Sequence, residues 1–144
     1  MNKLFSFLIT WLRKSLGDKT AYEIPSPMPR FTLEDLSIED GKITISHLKM
    51  GTYFSTVTDT GSEEPLVDAG NFLILEPYID QCLFTGDWVV YEDSKGTSIA
   101  HHIIAVNFDT YGTWFEMMGT NCVEPDPEGV RVSKIKYLVR GVLY

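Results

Sequence analysis

Trp88-Val89-Val90-Tyr91 and Ser98-Ile99-Ala100-His101-His102-Ile103-Ile104-Ala105-Val106, joined by the turn-forming run Glu92 to Thr97, decide the fold. Both are rich in β-branched and aromatic residues and bounded by turn formers, so both read as strands. The first is apolar on both faces, as is Phe72-Leu73-Ile74-Leu75, which predicts central positions in a sheet. Outward from these, Lys42-Ile43-Thr44-Ile45-Ser46 and Val130-Arg131-Val132-Ser133-Lys134-Ile135 alternate, the pattern of strands with one wet face. Thr52 to Val57, Thr113 to Met118 and Leu138 to Leu143 complete the set. Short strands recurring at this spacing predict a mainly β architecture, with folded-over antiparallel sheets or a partly closed barrel in preference to a doubly wound one.

The chain has 144 residues and reads as one domain; 44% hydrophobic residues provide for a packed core rather than disorder. Twenty acids against twelve Lys and Arg give a net charge of -8, which repels a phosphate backbone, so no nucleic-acid partner is expected. Cys82 and Cys122 are forty residues apart and outside any C-x-x-C pair. They could form a disulfide in an oxidising compartment or serve as two small hydrophobes, and a cysteine zinc site is excluded. His47, His101 and His102 cannot share a helical metal face, since adjacent strand residues point to opposite sides. Neither a metal nor a cofactor is expected.

At the N-terminus, Leu4 to Leu12 is too short an apolar run to span a bilayer, and no small-x-small cleavage site follows closely. On a helix over residues 1–16, Met1, Leu4, Phe5, Leu8, Trp11 and Leu12 share a face. That stripe suits a membrane surface, a partner, or the domain's own core. Residues 17–31, with Pro25-Ser26-Pro27-Met28-Pro29, read as an extended Pro-rich linker, and the β-domain is expected over 32–144.

Three turn-bounded segments carry polar residues that a β-domain does not need for folding. Thr60-Gly61-Ser62-Glu63-Glu64-Pro65 puts a hydroxyl on a tight turn beside backbone N–H groups. Ala100-His101-His102-Ile103 places two imidazoles in an apolar strand, so one of them faces inward and needs a partner. Gly119-Thr120-Asn121-Cys122-Val123-Glu124-Pro125-Asp126 is a long polar turn. Singly, each has a plain structural reading as a turn or a satisfied core histidine. Together they supply a nucleophile, a base and an orienting acid in the order Ser62, His101, Asp126.

From Tyr53 to Tyr144 these segments resemble the catalytic domain of type I signal peptidases, which share a broad fold with the self-cleaving LexA-type repressors. Gly61 to Gly70 is similar to the Ser-Met-x-Pro nucleophile box, and Gly86-Asp87-Trp88-Val89-Val90-Tyr91 to the strand after it. Ala100-His101-His102-Ile103-Ile104 resembles the base box in its archaeal and endoplasmic-reticulum form, which uses His. Gly119-Thr120-Asn121 with Pro125-Asp126-Pro127 looks like the Gly-Asp-x-Asn box, and Arg140-Gly141-Val142 like the terminal glycine strand. The chain departs from that pattern at three places: Glu63 stands at the methionine, His102 at the arginine and Thr120 at the first aspartate.

The resemblance implies a serine endopeptidase that cleaves an extended peptide or protein through Ser62, His101 and Asp126, with Gly61, Gly119 and Asn121 in supporting or oxyanion-binding roles. The alternative is an inactive version of the same fold serving as a structural or binding module, such as a virus- or phage-encoded assembly protein. A LexA-like regulator is opposed by the charge and by the lack of a helix-turn-helix pattern.

Overall fold

The computed structural model describes residues 24–27 and 29–144. The helix expected over residues 1–16 lies outside them. Of the described residues 44% are in strands and 5% in helix, all of it single 3-10 turns. The strands are β1 (Leu36–Glu39), β2 (Lys42–Ile45), β3 (Tyr53–Thr56), β4 (Phe72–Pro77), β5 (Trp88–Glu92), β6 (Ser98–Asp109), β7 (Gly112–Met118), β8 (Val130–Arg131) and β9 (Ile135–Leu143). β1 and β2 make a two-stranded hairpin, and the rest form one antiparallel sheet in the order β3-β4-β9-β5-β6-β7-β8. It curls into a half-barrel.

As the apolar runs predict, β5 is central, flanked by β6 and β9, and β4 lies between β3 and β9. Alternate residues of β5 feed two cores. Val89 and Tyr91 pack with Ile103, Phe115, Met117 and Leu138 on one face. Trp88 and Val90 pack with Val67, Leu73 and Leu75 on the other. Because both faces of the sheet are covered, His101 and His102 are both buried. Alternation requires one of the two to face inward, and the cover on both faces buries the other as well. Ile103 and Met117 are fully enclosed at 0% exposure. Truncating either to alanine removes buried methylenes and leaves a cavity, at about 2–5 kcal/mol.

Two strand expectations change. Val130 to Ile135 is not one strand: β8 pairs with β7 near one edge, whereas β9 lies between β4 and β5. The chain crosses over through a 3-10 turn at Val132–Lys134, closed by Ile135 N–H donating to the Val132 carbonyl. Lys42 to Ser46 does alternate, but its apolar side does not face the core of the described residues. The register Leu36↔Ile45 and Ile38↔Ile43 gathers four apolar side chains on one hairpin face, with Ile38 76% and Ile43 68% exposed. The sequence signal for β1 was the Asp40-Gly41 turn, whose φ angles of 50° and 73° are those a tight hairpin needs.

The described part of the Pro-rich segment is tied to the domain. Arg30 donates from Nη2 to Asp87 Oδ2 and to the Cys82 carbonyl, and Asp87 is 1% exposed. The Arg140 guanidinium lies 4.2 Å over the Phe31 ring. Gly86 has no room for a side chain, since a Cβ there would meet the Ser26 carbonyl oxygen at 2.5 Å. Cys82 and Cys122 do not form a disulfide, and Cys82 is exposed. Among the described residues no helix is long and apolar enough to cross a membrane.

Candidate functional site

Adjacent strand residues point to opposite faces, so each of the paired histidines of β6 meets a different acid. His101 lies opposite Val89, on the Tyr91 face, where the chain leaving β7 brings Asp126 back. The return is anchored by Asp126 N–H donating to the Met117 carbonyl at 2.8 Å. His101 Nδ1 is 2.8 Å from Asp126 Oδ2 and 3.0 Å from Oδ1. A carboxylate can only accept, so Nδ1 is the donor of this contact, and in the neutral imidazole Nε2 then carries the lone pair.

Tyr91 also fixes the acid, its hydroxyl donating at 2.6 Å to Asp126 Oδ2, the oxygen nearest His101 Nδ1. Burial, followed by this bond to the carboxylate, pushes the Tyr91 phenol well above its ordinary value, so it remains a donor at neutral pH. Sequence reading treated Tyr91 only as a core residue. The available signal was its position in a strand apolar on both faces, since a buried tyrosine hydroxyl usually finds a partner.

Ser62 reaches the same place from the turn before β4. Gly61, at φ +67°, makes the left-handed step that opens this turn. Asn121 holds it from across the cleft, with its N–H donating to the Ser62 carbonyl and its Nδ2 to the Gly61 carbonyl, both at 2.8 Å. Gly119 is where the pieces meet: a Cβ there would lie 2.6 Å from the Ser62 carbonyl oxygen, 2.8 Å from His101 Nε2 and 3.0 Å from Cys122 Sγ. A glycine at 119 is therefore what allows the turn carrying Ser62 and the open nitrogen of His101 to converge. Ser62 and His101 both line a cleft of about 570 Å³. Ser62 Oγ is 3.4 Å from Thr60 Oγ1. Among the described residues no acceptor takes the N–H of Gly61 or of Ser62. All six residues singled out from the sequence are thus neighbours in space.

One wall of the cleft belongs to β3, an end strand of the sheet, through Tyr53, Ser55 and Thr56; Val57, Leu73, Leu75 and Val90 add apolar floor. Beside Ser62, the carboxylates of Asp59, Glu64 and Asp68 come within 4.8 Å of one another. They make this side of the cleft negative, which favours a cationic over an acidic group in whatever enters.

The three departures from the signal peptidase pattern also meet. Glu63, 5% exposed, accepts at Oε2 from the Thr120 hydroxyl at 2.7 Å and from the Thr120 N–H at 3.3 Å. The same oxygen is 3.4 Å from His102 Nδ1, a contact without hydrogen-bond geometry. The His102 ring stacks on Trp88 with centroids 5.0 Å apart. Comparison with protein-family models, with curated proteins and with solved structures finds no match.

Proposed function

We propose that this chain is a serine hydrolase of the signal peptidase-like type, acting on an extended peptide. The reading is carried by one observation: His101, held at Nδ1 by Asp126, lines the cleft that Ser62 also lines. Ser62 Oγ attacks the substrate carbonyl carbon while its proton passes to His101 Nε2. The resulting oxyanion is received by the unengaged N–H groups at Gly61 and Ser62. As the carbon–nitrogen bond breaks, the Nε2 proton goes to the leaving amine; a water that gives its proton to the same nitrogen then attacks the acyl carbon, and as the bond to Ser62 Oγ breaks that proton returns to Oγ. Asp126, held by Tyr91, keeps the imidazole in the working tautomer. The peptide pairs along the end strand β3, with its side chains entering the apolar floor. In the same proposal the amphipathic stretch of residues 1–16 docks on a membrane surface or a partner.

The second reading, an inactive binding module, is favoured by the contact of Ser62 Oγ with Thr60 in place of His101. A fluorophosphonate probe, which reacts with activated serines, separates the two. The hydrolase reading expects labelling that Ser62→Ala and His101→Ala each abolish, with a double variant no worse than either, and a smaller loss for Asp126→Asn. A folded wild-type chain that stays unlabelled at every pH overturns it.

A further inference from the structure

Two polar pairs sit back to back across β6: His101 with Asp126 on one face, and His102 with Glu63 on the other. The second pair plays no part in the proton transfers described above, yet each of its members, and the Thr120 that Glu63 bonds, is next in sequence to a residue that does matter there. Glu63 follows Ser62, His102 follows His101, and Thr120 follows Gly119. Three chain segments far apart in sequence are therefore joined twice, once around Gly119 and once through Glu63. The second junction is largely buried, with Glu63 5% and His102 4% exposed. A carboxylate in such a place is strongly held by the few groups that can satisfy it, since water has little access to replace them. Among the described residues only Thr120 does so with hydrogen bonds, and Glu63 Oε1 has no partner.

We propose that the buried Glu63–Thr120–His102 unit is a latch that positions Ser62 against His101, with Glu63 and Thr120 as its positioning residues. The inference rests on the hydrolase reading for its consequence and on the contacts alone for its mechanics. Glu63 ties the residue after the nucleophile to the residue after Gly119, and the Asn121 N–H bond to the Ser62 carbonyl closes the same ring from above. With the latch released, the turn drifts away from Gly119 and the Ser62–His101 approach lengthens. His102 limits where Glu63 can lie: packed on the Trp88 ring, it sits 3.4 Å from Oε2, the oxygen that Thr120 holds.

The test uses the full chain and two readouts. Thr120→Val keeps the shape and removes the hydroxyl donor, Glu63→Ala removes the acceptor, and Glu63→Gln restores an acceptor oxygen without the charge. Hydrogen exchange at the Asn121 amide reports the turn directly, and fluorophosphonate labelling, resolved into maximal rate and half-saturating concentration, reports the nucleophile. The expected result for Thr120→Val and Glu63→Ala is Asn121 exchange at least ten times faster, with the Ile103 and Phe115 amides unchanged. The maximal labelling rate falls at least tenfold with little change in half-saturation, and Glu63→Gln recovers most of both losses. Unchanged Asn121 exchange in both deletion variants overturns the latch. So does a uniform acceleration over all amides, or faster Asn121 exchange with an unaltered labelling rate. A wild-type chain that does not label at all overturns the hydrolase reading instead, and the exchange measurement then decides the latch alone.

Discussion

Gly119→Ala adds one carbon at the point where Ser62 and His101 meet. Gly119 does not need the left-handed conformation reserved for glycine, so the backbone accepts alanine and the whole effect is steric. Ordinary contact for a Cβ begins near 3.4 Å, against 2.6 Å to the Ser62 carbonyl oxygen and 2.8 Å to His101 Nε2, so the turn must retreat by roughly 0.8 Å and the imidazole by roughly 0.6 Å. The carbonyl belongs to backbone that Asn121 clamps, and the imidazole is held by Asp126, so neither yields as freely as the end of a flexible side chain. Overpacking of this kind costs about 1–3 kcal/mol, or about 3–9 °C in melting temperature for a domain of this size. A displacement near 1 Å between reacting groups costs on the order of a hundredfold in rate. The expected outcome is a fluorophosphonate labelling rate about 10- to 100-fold lower, together with that modest loss of stability. Gly112→Ala is the control: Gly112 closes the far end of the β6–β7 hairpin at φ +106° with nothing within 4 Å. It should lose about 1–2 kcal/mol to backbone strain and leave labelling untouched. A Gly119→Ala protein that labels at the wild-type rate with an unshifted melt refutes the convergence at this glycine.

Tyr91→Phe removes one donor from Asp126 and should cost about 1.5–3 kcal/mol at neutral pH, as expected for a bond to a charged group. Because folding raises the Tyr91 phenol's pKa, its contribution is fully present below the unfolded value near 10 and is lost as pH rises through the folded one. Tyr53 and Tyr78 are also raised by burial, so the informative quantity is the difference between proteins. Urea midpoints should fall more steeply above pH 10 in wild type than in Tyr91→Phe, and parallel curves would refute the assignment. Arg30→Ala leaves the Asp87 carboxylate, 1% exposed, with the Phe84 N–H as its remaining hydrogen-bond donor among the described residues. The loss should be about 3 kcal/mol, read as roughly 10 °C in a thermal melt, at the lower end for a broken buried pair because Arg30 is itself partly exposed. Asp87→Asn, which keeps an acceptor for Phe84, should cost less; a loss under about 1 kcal/mol for Arg30→Ala would show that the Pro-rich segment is not anchored there.

Much of the site was legible because its chemistry is carried by residue types that a β-domain seldom needs. A serine after a glycine at a turn, two histidines in an apolar strand and an aspartate between prolines each stand out against the apolar period. Tyr91 and the Glu63–Thr120–His102 contacts were not legible. Tyr91 satisfies the apolar pattern of its strand whatever its hydroxyl does. The roles of Glu63 and Thr120 depend on which residues 57 positions away they touch, and local pattern contains no term for that separation.

The amino-acid sequence by itself determined the class of structure and most of its strands, since side-chain period and turn chemistry act over a few residues and need no partner to be read. It also determined that Trp88 to Tyr91 lies inside, because a strand apolar on both faces has nowhere else to go. Tertiary structure decided where strands sit and what their faces meet. Val130 to Ile135 alternates like one strand, yet the sheet order splits it around a 3-10 turn. Lys42 to Ile45 alternates like a core-facing strand, yet its pairing with β1 alone leaves the apolar face outside. Whether His101 and His102 face water or protein was likewise settled by the covering of both sheet faces. In each case the period fixes which side chains share a face, and only long-range packing supplies what that face lies against.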